Sequence, residues 1–378
     1  MQTVKILHTA DIHIGAAESF LKAEASKRRF ETLLTFERII TLARQNDVKI
    51  ILIAGDLLNS NSSEASFCDR IFEAASSVPE IKIIFSAGNH DPLSSDSPFL
   101  KYKTPENLFI LNTADDCKVF EDLGVRVYGR SFGEVYLKGE NSFSLTPPQD
   151  DYINLMCQHG DLRGDSASNY NAISADFVEN SGMDYIALGH VHKASEIMRF
   201  GKTYCAYCGC PEGQGFDELG EKGVYIGDIG KDICNLEFIP CAKRTHICEH
   251  IDISGCDSTI SVTEKILAVL REKYPDNYPE NLYKIILTGN ISGDVIISIP
   301  EITSRLNELV YFAKVRDNSE AIIDFELLSH EKSLKGIFVK NMLAAIESAD
   351  EAEKKKYKDA LVLGLKAFST EVYFDENQ

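Results

Sequence analysis

The sequence predicts an α/β fold, and three observations carry that prediction. Short, nearly unbroken apolar runs recur along the first half of the chain: VKILHTA, KIILIAG, IKIIFSAG, INLMCQHG and DYIALGH. Helix-patterned stretches separate the early ones. Each run stops at a polar cluster, usually beside a glycine. Strands that are apolar without alternation are covered on both faces, as in a sheet packed between other layers.

The N-terminal MQTVKILHTADIHIG reads as the first strand, because it lacks the apolar stretch and small-residue cleavage site of a secretory leader. KRRFETLLTFERIITLARQN follows as a helix, with Phe30, Leu33, Leu34, Phe36, Ile40 and Leu42 on one broad face. After the second strand, SFCDRIFEAASS is a second helix. Helices thin out later, and KTYCAYCG, KGVYIGDIG and CNLEFIP read as antiparallel strands ending near Cys241. The pattern then changes. HICEHIDIS, TISVTEKILAVLREKY, LYKIILTGNI and ITSRLNELVYFAKVRD give a β-α-β-α-β unit, a small separate domain over 243–330. The tail, 331–378, is helical. SLKGIFVKNMLAAIES is one helix, Ser348 to Glu351 form a capping box, and Tyr357, Leu361, Leu365 and Phe368 line one stripe of the next. That stripe either docks on its own protein or takes a partner helix.

Composition excludes some classes. Thirty-nine Lys+Arg against 58 Asp+Glu leave a net charge of -19. Such a chain binds a polyanion poorly unless divalent cations or a partner reverse the local sign. No apolar run is long enough to span a bilayer, so no membrane is expected. Ten scattered cysteines suggest reduced thiols and a cytoplasmic setting. Cys205, Cys208 and Cys210 lack a fourth ligand at zinc spacing, and are read as small buried residues at a strand end.

The polar clusters at strand ends hold the chemistry. They are Asp11 and His13, Asp56, then Asn89, His90 and Asp91, then His159, and last His190 and His192, which take five of the nine histidines. In open α/β sheets, sites assemble at the carboxyl ends of strands. In an extended segment Asp11 and His13 point the same way and can grip one ion. Asn89 and His90 point apart, so one can bind metal while the other faces substrate. Gly55 and Gly88 permit tight turns. Seven N/O donors (Asp11, His13, Asp56, Asn89, His159, His190, His192) exceed what one open ion needs, but fit two ions if Asp56 bridges. The lack of cysteine in the set suits Mn²⁺, Fe²⁺ or catalytic Zn²⁺, with Mg²⁺ a further alternative. Two ions about 3.5–4 Å apart suit in-line attack on phosphorus. His90 is then free to protonate the leaving oxygen, with Asp91 orienting its ring, a role worth ~10²–10⁴-fold.

The order D-x-H, G-D, G-N-H-D, H-G, G-H-x-H resembles the calcineurin-like metallophosphoesterase superfamily over residues 1–240 or so. The resemblance implies a four-layer αββα sandwich over 1–242. It implies Asp11, His13 and His192 on one ion, Asn89, His159 and His190 on the other, Asp56 shared, and His90 catalytic. HTADIHIG, GDLLN, GNHDP and PEGQGFDELGEKG more narrowly resemble the SbcD/YhaO branch of DNA repair exonucleases. That branch implies that 243–330 is a cap and that the tail docks on an SbcC-type coiled-coil ATPase. Where many members read G-D-L-F-H, this chain has Asn59, which can hydrogen-bond a phosphate but cannot carry a proton. Asn59 and Arg163 are the candidate substrate contacts. The expectation is a Mn²⁺-dependent DNA nuclease, exonuclease or endonuclease, with DNA and the ATPase as partners and homodimerisation left open. The alternative is a small-molecule phosphodiesterase or phosphatase of the same superfamily.

Overall fold

The computed structural model describes residues 2–63, 65–140, 143–162, 168–292, 295–322 and 324–369. Two compact units are present. The first is Met1–Cys248 with Asp276–Lys284 and Leu309–Ala313, and the second is Glu249–Pro275, Ile285–Glu308 and Lys314–Gln378.

In the first unit the strands are, in chain order, β1 (Thr3–Thr9), β2 (Ile50–Ala54), β3 (Lys82–Ser86), β4 (Leu108–Ile110), β5 (Asp116–Phe120), β6 (Val125–Arg130) and β7 (Leu137–Glu140). They continue as β8 (Ile153–His159), β9 (Tyr170–Ala172), β10 (Tyr185–Gly189), β11 (Met198–Phe200), β12 (Thr203–Tyr207), β13 (Gly223–Gly230) and β14 (Ile233–Pro240). One six-stranded sheet has the order β14-β13-β1-β2-β3-β4, and a second has β11-β12-β10-β8-β6-β5. In the first, β1 to β4 run parallel, with β13 antiparallel to β1 and β14 antiparallel to β13; in the second, β12, β10, β8 and β6 run parallel between antiparallel β11 and β5.

Strand periodicity sorts the apolar residues into layers. Ile50, Leu52 and Ile84 face Val127, Leu155, Tyr185 and Ala187, filling the space between the sheets. Ile51, Ile53, Ile83 and Phe85 turn the other way, onto helices α1 (Ala25–Gln45) and α2 (Ala65–Ser76). A short α3 (Pro98–Lys101) follows, and α4 (Ala175–Asn180) brings Val178 against Met156, Ile186 and Leu188 on the far face of the second sheet. The layers run αββα. On α1 the buried stripe is Leu33, Phe36, Ile39, Ile40 and Ala43. Phe30 and Leu34, expected on that face, are 42% and 39% exposed. At 100° per residue they fall about 120° or more round the helix from the stripe's centre.

The second set of elements comprises β15 (His246–Asp252), α5 (Thr259–Lys273), β16 (Leu282–Thr288), β17 (Asn290–Ser292), α6 (Ile299–Asn307), β18 (Phe312–Asp317) and β19 (Glu320–Ile322). Strands β15-β16-β18 form a three-stranded sheet. In the second unit Val262, Ile266 and Leu270 of α5 and Ile302 and Leu306 of α6 are buried. Helices α7 (Phe325–Ser329), α8 (Leu334–Ser348) and α9 (Glu351–Ser369) close the described chain. Leu361 and Leu365 pack with Val339, Phe338 and Met342 of α8, so that part of the stripe turns inward within the tail. The cap of α9 is Asp350 rather than Ser348: the Glu353 amide donates to Asp350 Oδ1 at 2.9 Å, while the Ser348 hydroxyl donates to the Ala344 carbonyl. Ser348 is still helical, so its side chain bonds back into the preceding turn. Among the described residues no helix is long and apolar enough to cross a membrane.

Candidate metal centre

Strand register gathers the polar clusters. Thr9 of β1 pairs with Ile53 of β2, Ala54 of β2 with Ser86 of β3, and His159 of β8 with Gly189 of β10. The residues that follow these ends therefore emerge side by side. The segment after β1 is not the extended run expected of it. Asp11, His13 and Asp56 have φ of 51°, 48° and 51°, and His190 has φ of 100°. Such backbone costs roughly 1–3 kcal/mol per residue and persists where its surroundings fix it. Here the amides of Asp11, His13 and Ile14 donate to the carbonyls of Gly55, Asp56 and Leu57 at 2.9–3.0 Å. The loop is pinned to its neighbour, and the side chains still converge.

Ligand atoms of Asp11, His13 and His192 lie within 4.8 Å of one another, as do those of Asp11, Asp56 and His159. Asp56 Oδ2 stands 3.7 Å from His13 Nε2 and 3.6 Å from His159 Nε2, between the two groups. Asn89 Oδ1 is 2.9 Å from His159 Nε2. The His190 ring lies 5.2 Å from that of His159, centroid to centroid, and its amide donates to both Asp11 oxygens at 3.0 Å. A Cβ on Gly55 would sit 2.1 Å from His159 Nδ1, and one on Gly88 2.2 Å from Asp56 Oδ1, so both glycines are required by close approach.

His90 is exposed beside this cluster. Its ring meets His13 edge-on at 4.6 Å, and its amide donates to Asp56 Oδ1 at 2.9 Å. Asp91 does not orient the His90 ring. Its carboxylate is fully buried and accepts from the amides of Leu58 at 3.0 Å and Gly88 at 2.8 Å. A buried carboxylate needs donors, and these loop amides supply them. The His90 ring instead places Nδ1 3.2 Å from the Asn59 carbonyl. Arg163 lies outside the described residues.

The donor set fits divalent cations. His159 Nδ1 is 2.9 Å from the Ala54 carbonyl, which can only accept, so Nδ1 carries the proton and Nε2 presents a lone pair. That lone pair faces the oxygens of Asp56 and Asn89. The Nε2 atoms of His13 and His192 approach to 3.1 Å. Burial lowers the pKa of His13 to about 3 and that of His190 to about 4, keeping both in the neutral, ligating form. His159 Nε2, Asn89 Oδ1 and Asp56 Oδ2 converge with no proton among them, a repulsion that a cation relieves.

The calcineurin-like phosphoesterase family matches residues 4–194 of the chain. The chain belongs to this family. It is 27% identical over 286 residues to the uncharacterized metallophosphoesterase YhaO of Bacillus subtilis, covering 72% of this chain and 67% of that protein. It is 25% identical over 242 residues to the DNA double-strand break repair protein Mre11 of Methanopyrus kandleri, covering 59% of this chain and 52% of that one. Over 130 residues it is 30% identical to the SbcD component of the SbcCD nuclease of Rhodobacter capsulatus, covering 33% of this chain and 27% of that one. These likenesses agree with the branch that the motifs suggested.

One neighbour of the phosphoesterase centre has no signal in local sequence pattern. Glu218 places Oε1 2.5 Å from His192 Nδ1, across 26 residues. Its motif, PEGQGFDELGEKG, pointed to the branch but gave this residue no role.

Proposed function

We propose that this phosphoesterase is a DNA nuclease that hydrolyses phosphodiester bonds with two divalent ions, Mn²⁺ ahead of Fe²⁺, Zn²⁺ and Mg²⁺. The observation that carries the reading is the convergence of Asp11, His13, Asp56, His159 and His192, with Asn89 and His190 against His159 and one exposed imidazole, His90, beside them. Asp11, His13 and His192 would hold one ion and Asn89, His159 and His190 the other, with Asp56 reaching both. When bound, such ions activate water and neutralise phosphoryl oxygens. His90 supplies the proton for the leaving oxygen. With Nδ1 held at the Asn59 carbonyl, Nε2 is the nitrogen left for the donor role. Asn59 and Arg163 are proposed to contact the phosphate backbone.

DNA as substrate is supported by relatives named as break-repair and SbcCD nuclease proteins. At a net charge of -19, most of the DNA grip would come from a partner, an SbcC-type ATPase docked on 331–378, with 243–330 acting as a cap over the nuclease domain 1–242. Asn59 favours a second reading, a small-molecule phosphodiesterase.

The test compares hydrolysis of end-labelled linear DNA and bis-p-nitrophenyl phosphate by the purified chain, with Mn²⁺ or chelator. Mn²⁺-dependent DNA degradation, reduced ~10²–10⁴-fold in His90→Ala with metal content unchanged, is the expected result. Cleavage of the small diester with DNA untouched, even after an SbcC-type partner is added, would replace the nuclease by the second reading.

A further inference from the structure

We infer that Glu218 is a positioning residue for the metal centre, fixing His192 in the tautomer and ring orientation that offer Nε2 to a divalent cation. This rests on the reading of the cluster as a metal site, but not on the identity of the substrate.

His192 is the loosely placed imidazole of its group. Its side chain is 30% exposed, against 3% for His13 and 0% for His159. Burial alone does not hold it. One loop, between β12 and β13, holds it at two places. The Cys210 amide and Lys222 Nζ both donate to the His192 carbonyl, at 3.2 and 3.1 Å. Glu218 Oε1 accepts a hydrogen bond from His192 Nδ1 at 2.5 Å. A carboxylate only accepts, so the proton stays on Nδ1 and Nε2 is left as a lone pair aimed at the ligand atoms of Asp11 and His13.

The carboxylate is itself fixed. Glu218 Oε2 accepts from the Gln214 amide at 2.8 Å and from the Cys210 thiol at 3.5 Å. The same loop is anchored upstream by Glu212, which accepts from Arg28 at 2.7 Å and Thr35 at 2.8 Å, both on α1. Glu218 thus carries the rigidity of that anchor to a partly exposed ligand. His192, Cys210 and Glu218 also lie within 4.8 Å of one another. The His192–Glu218 hydrogen bond occupies the space that a separate ion would need there.

The experiment is Mn²⁺ titration of the metal-stripped full chain by calorimetry, for wild type, Glu218→Gln, Glu218→Ala and His192→Ala. Two equivalents are expected in wild type. In Glu218→Ala one of the two should weaken by about 10–100-fold, the scale for lost partners of metal-ligating histidines, with the other unchanged. His192→Ala should affect that same site. Glu218→Gln, whose one amide oxygen can still accept from Nδ1–H while its NH2 meets the Gln214 amide, should recover part of the loss. Nitrogen-15 NMR of the histidine rings in the metal-free chain should show His192 protonated at Nδ1 in wild type and a mixture of tautomers in Glu218→Ala. Unchanged binding in Glu218→Ala, equal loss of both sites, failure of Gln to rescue, or a third equivalent removed by the substitution would each overturn the inference. If Glu218→Ala does not fold, an unprotonated Nδ1 on His192 in the wild-type spectrum would overturn it as well.

Discussion

Asp91 illustrates how a single residue can be found by motif and given the wrong task by proximity. Next to His90 in sequence, it bonds instead to amides of the two loops that carry Asp56 and Asn89. Burial raises its pKa, and those amides oppose the rise. Its role is therefore to tie the loops. Asp91→Ala should orphan two buried donors at about 1–3 kcal/mol each, seen as a lower urea midpoint. Asp91→Asn, which keeps one acceptor, should lose less. A pure ring-orienting role would instead leave the midpoint unchanged and lower only catalysis.

Among the elements, α1 is fastened by charge as well as by its apolar stripe. Arg28, fully buried, donates to Glu18 at 2.5 Å, Glu31 at 3.1 Å, Glu212 at 2.7 Å and the Gly213 carbonyl at 2.7 Å. Arg244 donates to Glu31 and lies 3.4 Å over the Tyr311 ring. Breaking such a network from one side leaves buried charge uncompensated, so Arg28→Ala should cost about 3–5 kcal/mol by denaturant unfolding. Burial works to raise the Glu31 pKa, but hydrogen bonds from Arg244 and the charges of Arg244 and Arg28 outweigh it and hold it below its ordinary 4.5. A carboxyl with a lowered folded pKa stabilises fully above the unfolded value. That stability is lost as pH falls through the folded one. The unfolding free energy should fall on acidification below about pH 4.5, and the fall should be shallower in Glu31→Gln.

For the whole molecule, an ion that binds only the folded chain should stabilise it by mass action. Saturating Mn²⁺ at one hundred times Kd adds about 2.7 kcal/mol per site, so the melting temperature should rise with Mn²⁺ and return on chelation. His159→Ala should show a smaller rise. An equal rise in that variant would place the ions elsewhere.

What the sequence determined by itself was the local pattern of strands and of the polar clusters at their ends. Continuous apolar runs of strand length marked the sheets, and the polar clusters just beyond them named the residues now gathered at one edge. Both follow from strand periodicity and from the chain turning where burial ends. What only the tertiary structure decided was pairing across distance. Phe30 and Leu34 were counted into one broad apolar face of α1, but the sheet beneath it selects a narrower stripe. The left-handed backbone of Asp11 and His13 exists because the loop at Gly55 to Leu57 offers carbonyls. Arg28 meets Glu212 across 184 residues, and Glu218 meets His192 only because their loops return to the same strand ends. Hydrogen-bonding and charged groups act at contact range, and sequence separation carries no record of which contacts the fold will make.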